Sequence, residues 1–105
     1  MIKVLFFTSL REITGKKEET LDLPIKDNIT VITILDLLSK CYGKPFIEYV
    51  YDPKTCIIRG FLQFLINGKS VSTLNGLDTK LASGDVLAIL PPVGGGWSIQ
   101  NFFLF

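Results

Sequence analysis

Apolar residues along this chain follow two periods. Residues 2–8 (IKVLFFT) are apolar at five of seven positions, and these positions fall on both faces of an extended segment. That pattern predicts a strand covered on both sides and therefore central in a sheet. Residues 18–23 (EETLDL) alternate, with Leu21 and Leu23 on one face and Thr20 and Asp22 on the other, which predicts a half-buried strand closed by Pro24. The intervening stretch, residues 9–15 (SLREITG), reads as a loop or a single helical turn stopped by Gly15. A hairpin between the two strands is the most economical arrangement.

The period then changes. Val31, Ile34, Leu35 and Leu38 stand at i, i+3, i+4 and i+7, and Cys41 and Tyr42 continue the stripe. Thr30 is the expected N-cap, Gly43 the stop and Pro45 the residue beyond it, giving one helix of about 12 residues. Its β-branched residues lower intrinsic helix propensity, so packing must supply much of its stability. Residues 46–51 (FIEYVY) fit either a short helix or an extended piece, and residues 52–55 (DPKT) a turn. Residues 61–66 (FLQFLI) predict a strand, and Asn67-Gly68 after it is a strong hairpin signal, with Val71 on the return strand. After a turn-rich stretch, residues 86–90 (VLAIL) form a second wholly apolar strand.

The two most apolar strands are the first and the last. Side by side and parallel at the sheet centre, they let the helix serve as part of a right-handed crossover. This is an α+β architecture: a mixed sheet of four to five strands with one main helix on one face. A single helix covers one face only, so the other should carry an exposed apolar patch that asks for a partner. On residues 61–66, Leu62, Phe64 and Ile66 form one set, and Phe61, Gln63 and Leu65 the other. We place the set with Gln63 toward the partner.

Composition narrows the chemistry. The chain has 105 residues, 48% of them hydrophobic, a net charge of +1 and no histidine. It is one domain's worth of sequence, and about two thirds of its surface is buried on folding. Lys and Arg are scattered, which gives no nucleic-acid footprint. Without histidine, the commonest general base and metal ligand are gone. Cys41 and Cys56 cannot make a zinc site alone, and two cysteines suggest no disulfide framework, which fits a reducing, cytoplasmic compartment. Cys41 on the helix stripe reads as core, and Cys56 beside Ile57 and Ile58 as inert. No apolar run reaches the roughly 20 residues that span a membrane, and no signal-peptide pattern opens the chain. Arg11 and Glu12 could pair weakly. Asp22, Asp36, Glu48 and Asp52 form no acid–base pair that spacing can place. Lys44, Lys54, Lys69 and Lys80 read as solvated charges.

Two stretches resemble a known family. FFTSLREITGKK near the N-terminus is similar to the start of the molybdopterin synthase small subunit and other ubiquitin-like sulfur carriers. LINGKSV, followed by LDTKLASGDVLAILPPVGGG, resembles the second half of that family. The resemblance covers residues 1–96, is loose over 43–60, and implies a β-grasp fold. It also implies a carrier without catalytic groups of its own. In this family a terminal glycine carboxylate is adenylated by a ubiquitin-activating-type enzyme that uses ATP, then converted to a thiocarboxylate. The large synthase subunit takes that sulfur to build molybdopterin. The carrier itself binds no cofactor.

By position the reactive residue is Gly96, preceded by Gly94 and Gly95. Glycines suit a tail that threads a narrow channel, although three glycines also suit a plain linker. Together with Phe61 and Leu65, Pro91, Pro92 and Val93 are the expected partner contacts. The sequence departs from the family where residues 97–105 (WSIQNFFLF) follow Gly96 and tie its carboxyl into a peptide bond. This hydrophobic extension divides the chain into a domain, 1–96, and a tail, 97–105. The tail reads as a cap removed by a processing protease, as a strand docked on the uncovered sheet face or a neighbour's edge, or as a relict. Two functions follow. One is a sulfur carrier, with molybdopterin synthesis as the leading role and tRNA thiolation or protein modification as variants. The other is an interaction module that is never activated.

Overall fold

The computed structural model describes residues 1–22 and 29–90. Five strands form one sheet in the order β2-β1-β5-β3-β4. They are β1 (Ile2–Phe6), β2 (Glu18–Leu21), β3 (Gln63–Ile66), β4 (Lys69–Ser70) and β5 (Val86–Leu90). β1 runs parallel to β5 with Val4 opposite Leu87, and every other pairing is antiparallel. The first and last strands are thus neighbours, and β5 is the middle of the five. This mixed sheet with helices on one face is a ubiquitin-like β-grasp.

Among the described residues, three α-helices accompany the sheet: α1 (Ser9–Thr14), α2 (Val31–Tyr42) and α3 (Lys44–Val50). α2 begins as expected. The Thr30 hydroxyl accepts from the Thr33 backbone N–H, and the Thr33 hydroxyl accepts from that of Thr30. This reciprocal cap satisfies two donors that the first turn leaves unpaired. Gly43 closes α2 and also opens α3, where Pro45 sits in the first turn. Pro45 therefore starts a helix rather than marking the stretch beyond one, because its missing N–H costs nothing there. The ambiguous segment 46–51 resolves as α3, which buries Phe46 and Val50.

The main core lies between the helices and one sheet face. Ile2, Val4 and Phe6 from β1 meet Leu87 and Ile89 from β5, Phe64 and Ile66 from β3, and Val31, Ile34, Leu35 and Leu38 from α2. The stripe ends differently from its expected course. Cys41 is exposed, whereas Tyr42 packs on the core. At about 100° per residue, Tyr42 lies about 30° from the stripe's centre and Cys41 about 70° from it. Val71 also departs from expectation. β4 stops at Ser70, whose hydroxyl accepts from Ser72 N–H and draws residues 71–73 into a 3-10 turn. Val71 remains buried.

Tyr42 fastens three elements together. Its ring meets Phe6 edge-on at 6.0 Å and lies tilted against Phe46 at 6.1 Å. Its hydroxyl donates to Glu19 of β2 at 3.0 Å, and Lys16 Nζ donates to both Glu19 carboxylate oxygens at 3.2 Å. Burial works against the charge on Glu19, but the hydrogen bonds from Tyr42 and Lys16 outweigh it and hold the carboxyl below its ordinary value. Burial, and then the Glu19 carboxylate, push the Tyr42 phenol up.

Two outcomes check this packing. Leu38→Ala should cost about 2–5 kcal/mol of unfolding free energy in urea, while Cys41→Ala stays within about 0.5 kcal/mol. Glu19→Gln keeps an acceptor for Tyr42 and removes the charge. Because the folded carboxyl titrates below the unfolded one, its contribution is fully present above the ordinary glutamate pKa. It disappears as pH falls through the lowered value. The variant should therefore lose about 0.5–1.5 kcal/mol near neutral pH and converge on the parent in acid. An equal deficit at both pH values would remove the ionic part of this brace.

Candidate functional site

The site is defined by where the chain leaves the sheet. Parallel pairing of β1 and β5 puts their C-terminal ends at the same edge, so Leu90 ends β5 where β1 passes through Phe7 into α1. Antiparallel pairing sets Gln63, the first residue of β3, opposite Leu90. The exit is thus bracketed by Phe7 and Arg11 on one side and by Phe61 and Gln63 on the other. Pro91, Pro92, Val93 and the glycines Gly94, Gly95 and Gly96 follow, and lie outside the described residues, as does the extension 97–105.

Each bracket pairs an arginine with an aromatic ring. The Arg11 guanidinium sits 5.5 Å from the centre of the Phe7 ring and donates from Nε to the Phe6 carbonyl at 2.9 Å. It forms no ion pair with Glu12; the α1 geometry turns it toward β1 instead. Gly15, at φ 73°, closes α1 with a left-handed cap and so fixes this short helix beside the exit. Across the exit, Arg59 lies 5.9 Å from the Phe61 ring and donates from Nη2 to the Glu48 carbonyl at 3.1 Å. Phe61 also meets Tyr49 edge-on at 6.4 Å. Arg11, Arg59 and Phe7 escape a reading of residue types. The signal for Phe7 and Arg11 is the expected parallel pairing itself, which carries the end of β1 to the exit.

The far end of β5 is clamped to the β3–β4 turn. Asn67 takes up φ 51° and Gly68 φ 85°, the left-handed pair a two-residue hairpin requires. The Asn67 side chain donates to Asp85 at 2.9 Å and accepts from Val86 N–H at 3.0 Å, and the Asp85 carboxylate accepts from Ala82 N–H at 2.7 Å. These bonds hold the register of β5, and with it the position of Leu90.

The face away from α2 carries Lys3 and Leu5 of β1, Val86, Ala88 and Leu90 of β5, and Gln63 and Leu65 of β3. The set with Gln63 indeed lies on the face opposite the main core. Its two apolar members differ, however. Phe61 precedes β3 and is 44% exposed, while Leu65 is 2% exposed and joins Ala88 and Leu90 in a second buried cluster. The expected exposed patch is therefore closed at its centre, with Leu5 and Phe7 half-buried at its side. Leu65 is thus buried in this chain and Phe61 exposed.

The remaining candidates do not converge. Cys41 and Cys56 are both exposed and unpaired with each other. Cys56 lines a cavity of about 350 Å³ with Ile47, Tyr51 and Pro53 at the end of α3, apart from the exit. Among the described residues no group of three His, Cys, Asp or Glu could hold a metal ion, and no helix is long and apolar enough to cross a membrane. Lys44 pairs loosely with Glu48 at 3.8 Å on the exposed face of α3.

The model of the ThiS family matches residues 4–96, from β1 to the last glycine. The chain belongs to the ThiS family. Among curated relatives, it is 30% identical over 95 residues to small archaeal modifier protein 3 of Haloferax volcanii, covering 90% of this chain and 98% of that one. It is 34% identical over 96 residues to the molybdopterin synthase sulfur carrier subunit of Drosophila erecta, covering 90% of each. Among solved structures, small archaeal modifier protein 1 of Methanosarcina acetivorans superposes with a TM-score of 0.67 at 39% identity, covering 90% of this chain and 95% of that one. The ThiS-family chain is thus a β-grasp protein of the sulfur-carrier superfamily.

The different burial of the two exit-side residues gives a direct check. Phe61→Ser should leave stability within about 1 kcal/mol, whereas Leu65→Ser should cost about 2–5 kcal/mol, read as denaturant midpoints at equal m-value. If both cost the same, Phe61 is core and cannot serve as a surface probe.

Proposed function

We propose that this chain is a ubiquitin-like carrier whose reactive group is the carboxylate of Gly96, and that it works as a modifier or sulfur carrier of the small archaeal modifier kind. The observation that supports this is the extent of the family match. It runs to residue 96 and leaves residues 97–105 outside, and the archaeal relative is spanned almost whole. The domain is then 1–96, and 97–105 is an extension that a processing protease removes.

The chemistry follows from a free carboxylate. A partner of the adenylating type joins the Gly96 carboxylate to the α-phosphate of ATP and releases pyrophosphate. Hydrosulfide then displaces AMP and leaves a thiocarboxylate, or a lysine amine displaces it and leaves an isopeptide bond. This chain contributes no acid, base or cofactor to those steps. It supplies a terminus without side chains, which lets backbone approach a nucleotide closely. The rigid register of β5 sets the point where that terminus begins. Pro91, Pro92 and Val93, with Phe61 and the two arginine–aromatic pairs at the exit, form the docking surface, and Leu65 supports it from beneath. The two free thiols fit a reducing, cytoplasmic setting.

A second role has its own support. The likeness to a molybdopterin synthase sulfur carrier subunit extends over 90% of both chains. In that role the partner is a large synthase subunit that draws sulfur from Gly96. Both roles share the activation step.

ATP–pyrophosphate exchange with the cognate adenylating enzyme tests the proposal. A chain ending at Gly96 should support exchange, and the chain extended to Phe105 should not. Phe61→Glu in the shortened chain should raise its KM at least tenfold, about 1.4 kcal/mol. Absence of exchange with either length would leave an interaction module that is not activated.

A further inference from the structure

The two sides of β3 are paired unequally. Toward β5, all four of its residues are paired, from Gln63↔Leu90 to Ile66↔Leu87. Toward β4, the pairs are Leu65↔Ser70 and Ile66↔Lys69. In this register the next partner, for Phe64, would be Val71. The chain turns away there. The Val71 carbonyl accepts from Leu74 N–H at 2.9 Å, within the 3-10 turn of residues 71–73. The ladder therefore stops at Leu65↔Ser70, and among the described residues no strand lies beyond β4.

Alternation identifies the groups that face outward at this place. Asn67 N–H donates to the Val86 carbonyl at 2.9 Å. Odd-numbered residues along this stretch therefore turn their backbone groups toward β5, and even-numbered ones turn theirs away. Phe64 and Leu62 are the outward pair. The Leu62 N–H closes a turn on the Arg59 carbonyl at 3.2 Å. The Phe64 N–H and the Leu62 carbonyl then point past the end of β4, at the spacing with which one strand bonds the next. A cavity of about 250 Å³ opens here, lined by Leu62, Gln63 and Phe64 on one side and by Ser70, Val71 and Ser72 on the other.

We propose that this edge binds an extended, acidic segment of another protein, added to the sheet beside β3. The class of occupant follows from the groups on offer. A carbonyl and an N–H at strand spacing are matched by an extended main chain, and an open strand edge templates that pairing. Charge then selects among extended chains. Arg59 precedes one wall of the cavity in sequence and Lys69 the other, and none of the lining residues is Asp or Glu. A second copy of this chain would bring the same cations to the edge, whereas carboxylates on a partner strand meet them favourably. Ser70 and Ser72, whose hydroxyls share a hydrogen bond at 2.8 Å, give the wall further polar groups for such a segment. This binding needs neither Gly96 nor its activation, so it stands apart from the carrier reading.

A terminally blocked heptapeptide of alternating glutamate and valine, titrated into the isotope-labelled full chain, tests the edge. The amide signals of residues 62–64 and 70–72 should shift saturably, and solvent exchange of the Phe64 amide should slow about tenfold or more at saturation. The same peptide N-methylated throughout keeps its charges and loses its donors, and should bind about tenfold more weakly. A lysine–valine peptide should bind several-fold more weakly than the glutamate one, and Lys69→Glu should reduce that preference. Absence of saturable shifts at millimolar peptide, shifts that map elsewhere, equal binding of the N-methylated peptide, or a preference that Lys69→Glu leaves unchanged would overturn the proposal. So would protection of the Phe64 amide that rises with protein concentration without peptide, because it would assign the edge to a second copy.

Discussion

Parallel pairing of β1 with β5 is the constraint on which the rest of this molecule depends. Two strands separated by almost the whole chain can lie parallel only if the intervening sequence crosses a face of the sheet. α2 makes that crossing, and its apolar stripe is buried because β1 and β5 together offer it Val4, Phe6, Leu87 and Ile89. The same pairing decides where the functional end of the chain emerges. Both strands finish at one edge, so the segment after Leu90 starts beside the β1–α1 junction with Arg11 stacked on Phe7. On the other side, β3 delivers Gln63, with Phe61 and Arg59 just ahead of it.

The bonds around Asn67 and Asp85 and the hub at Tyr42 serve this arrangement from opposite directions. The first fixes the start of β5, and through its register the place where the strand ends. The second ties β2, α2 and α3 to the β1 side of the sheet. In the proposed role, with the chemistry in a partner's active site, the terminus needs such rigidity behind it. A terminus offset by an ångström costs reactivity that neither partner can recover.

Most of the fold was legible because its signals were periodic. Continuous apolarity in residues 2–8 and 86–90 marked the central strands, and the 3.6-residue stripe from Val31 to Leu38 marked α2. Signals at the ends of elements were less legible. Cys41 and Tyr42 both extend the stripe on paper, and only the angular position separates an exposed thiol from a buried ring. Pro45 reads equally as the residue after one helix or the first turn of the next. Leu65 looked like a surface residue because alternation says which face a side chain occupies, not what lies over it. At the site, glycines and prolines announced the candidate tail through family likeness. Arg11 and Arg59 gave no such signal, since an isolated arginine in a loop looks the same whether or not an aromatic ring waits beside it.

The central claim is that Gly96 becomes a free, reactive terminus. Intact mass spectrometry of the protein isolated from its own cells tests this most directly. The account predicts a species ending at Gly96, part of it heavier by the exchange of one oxygen for sulfur or found linked to a lysine of another protein. Chains that all retain residues 97–105, in cells where the adenylating partner is active, would contradict it.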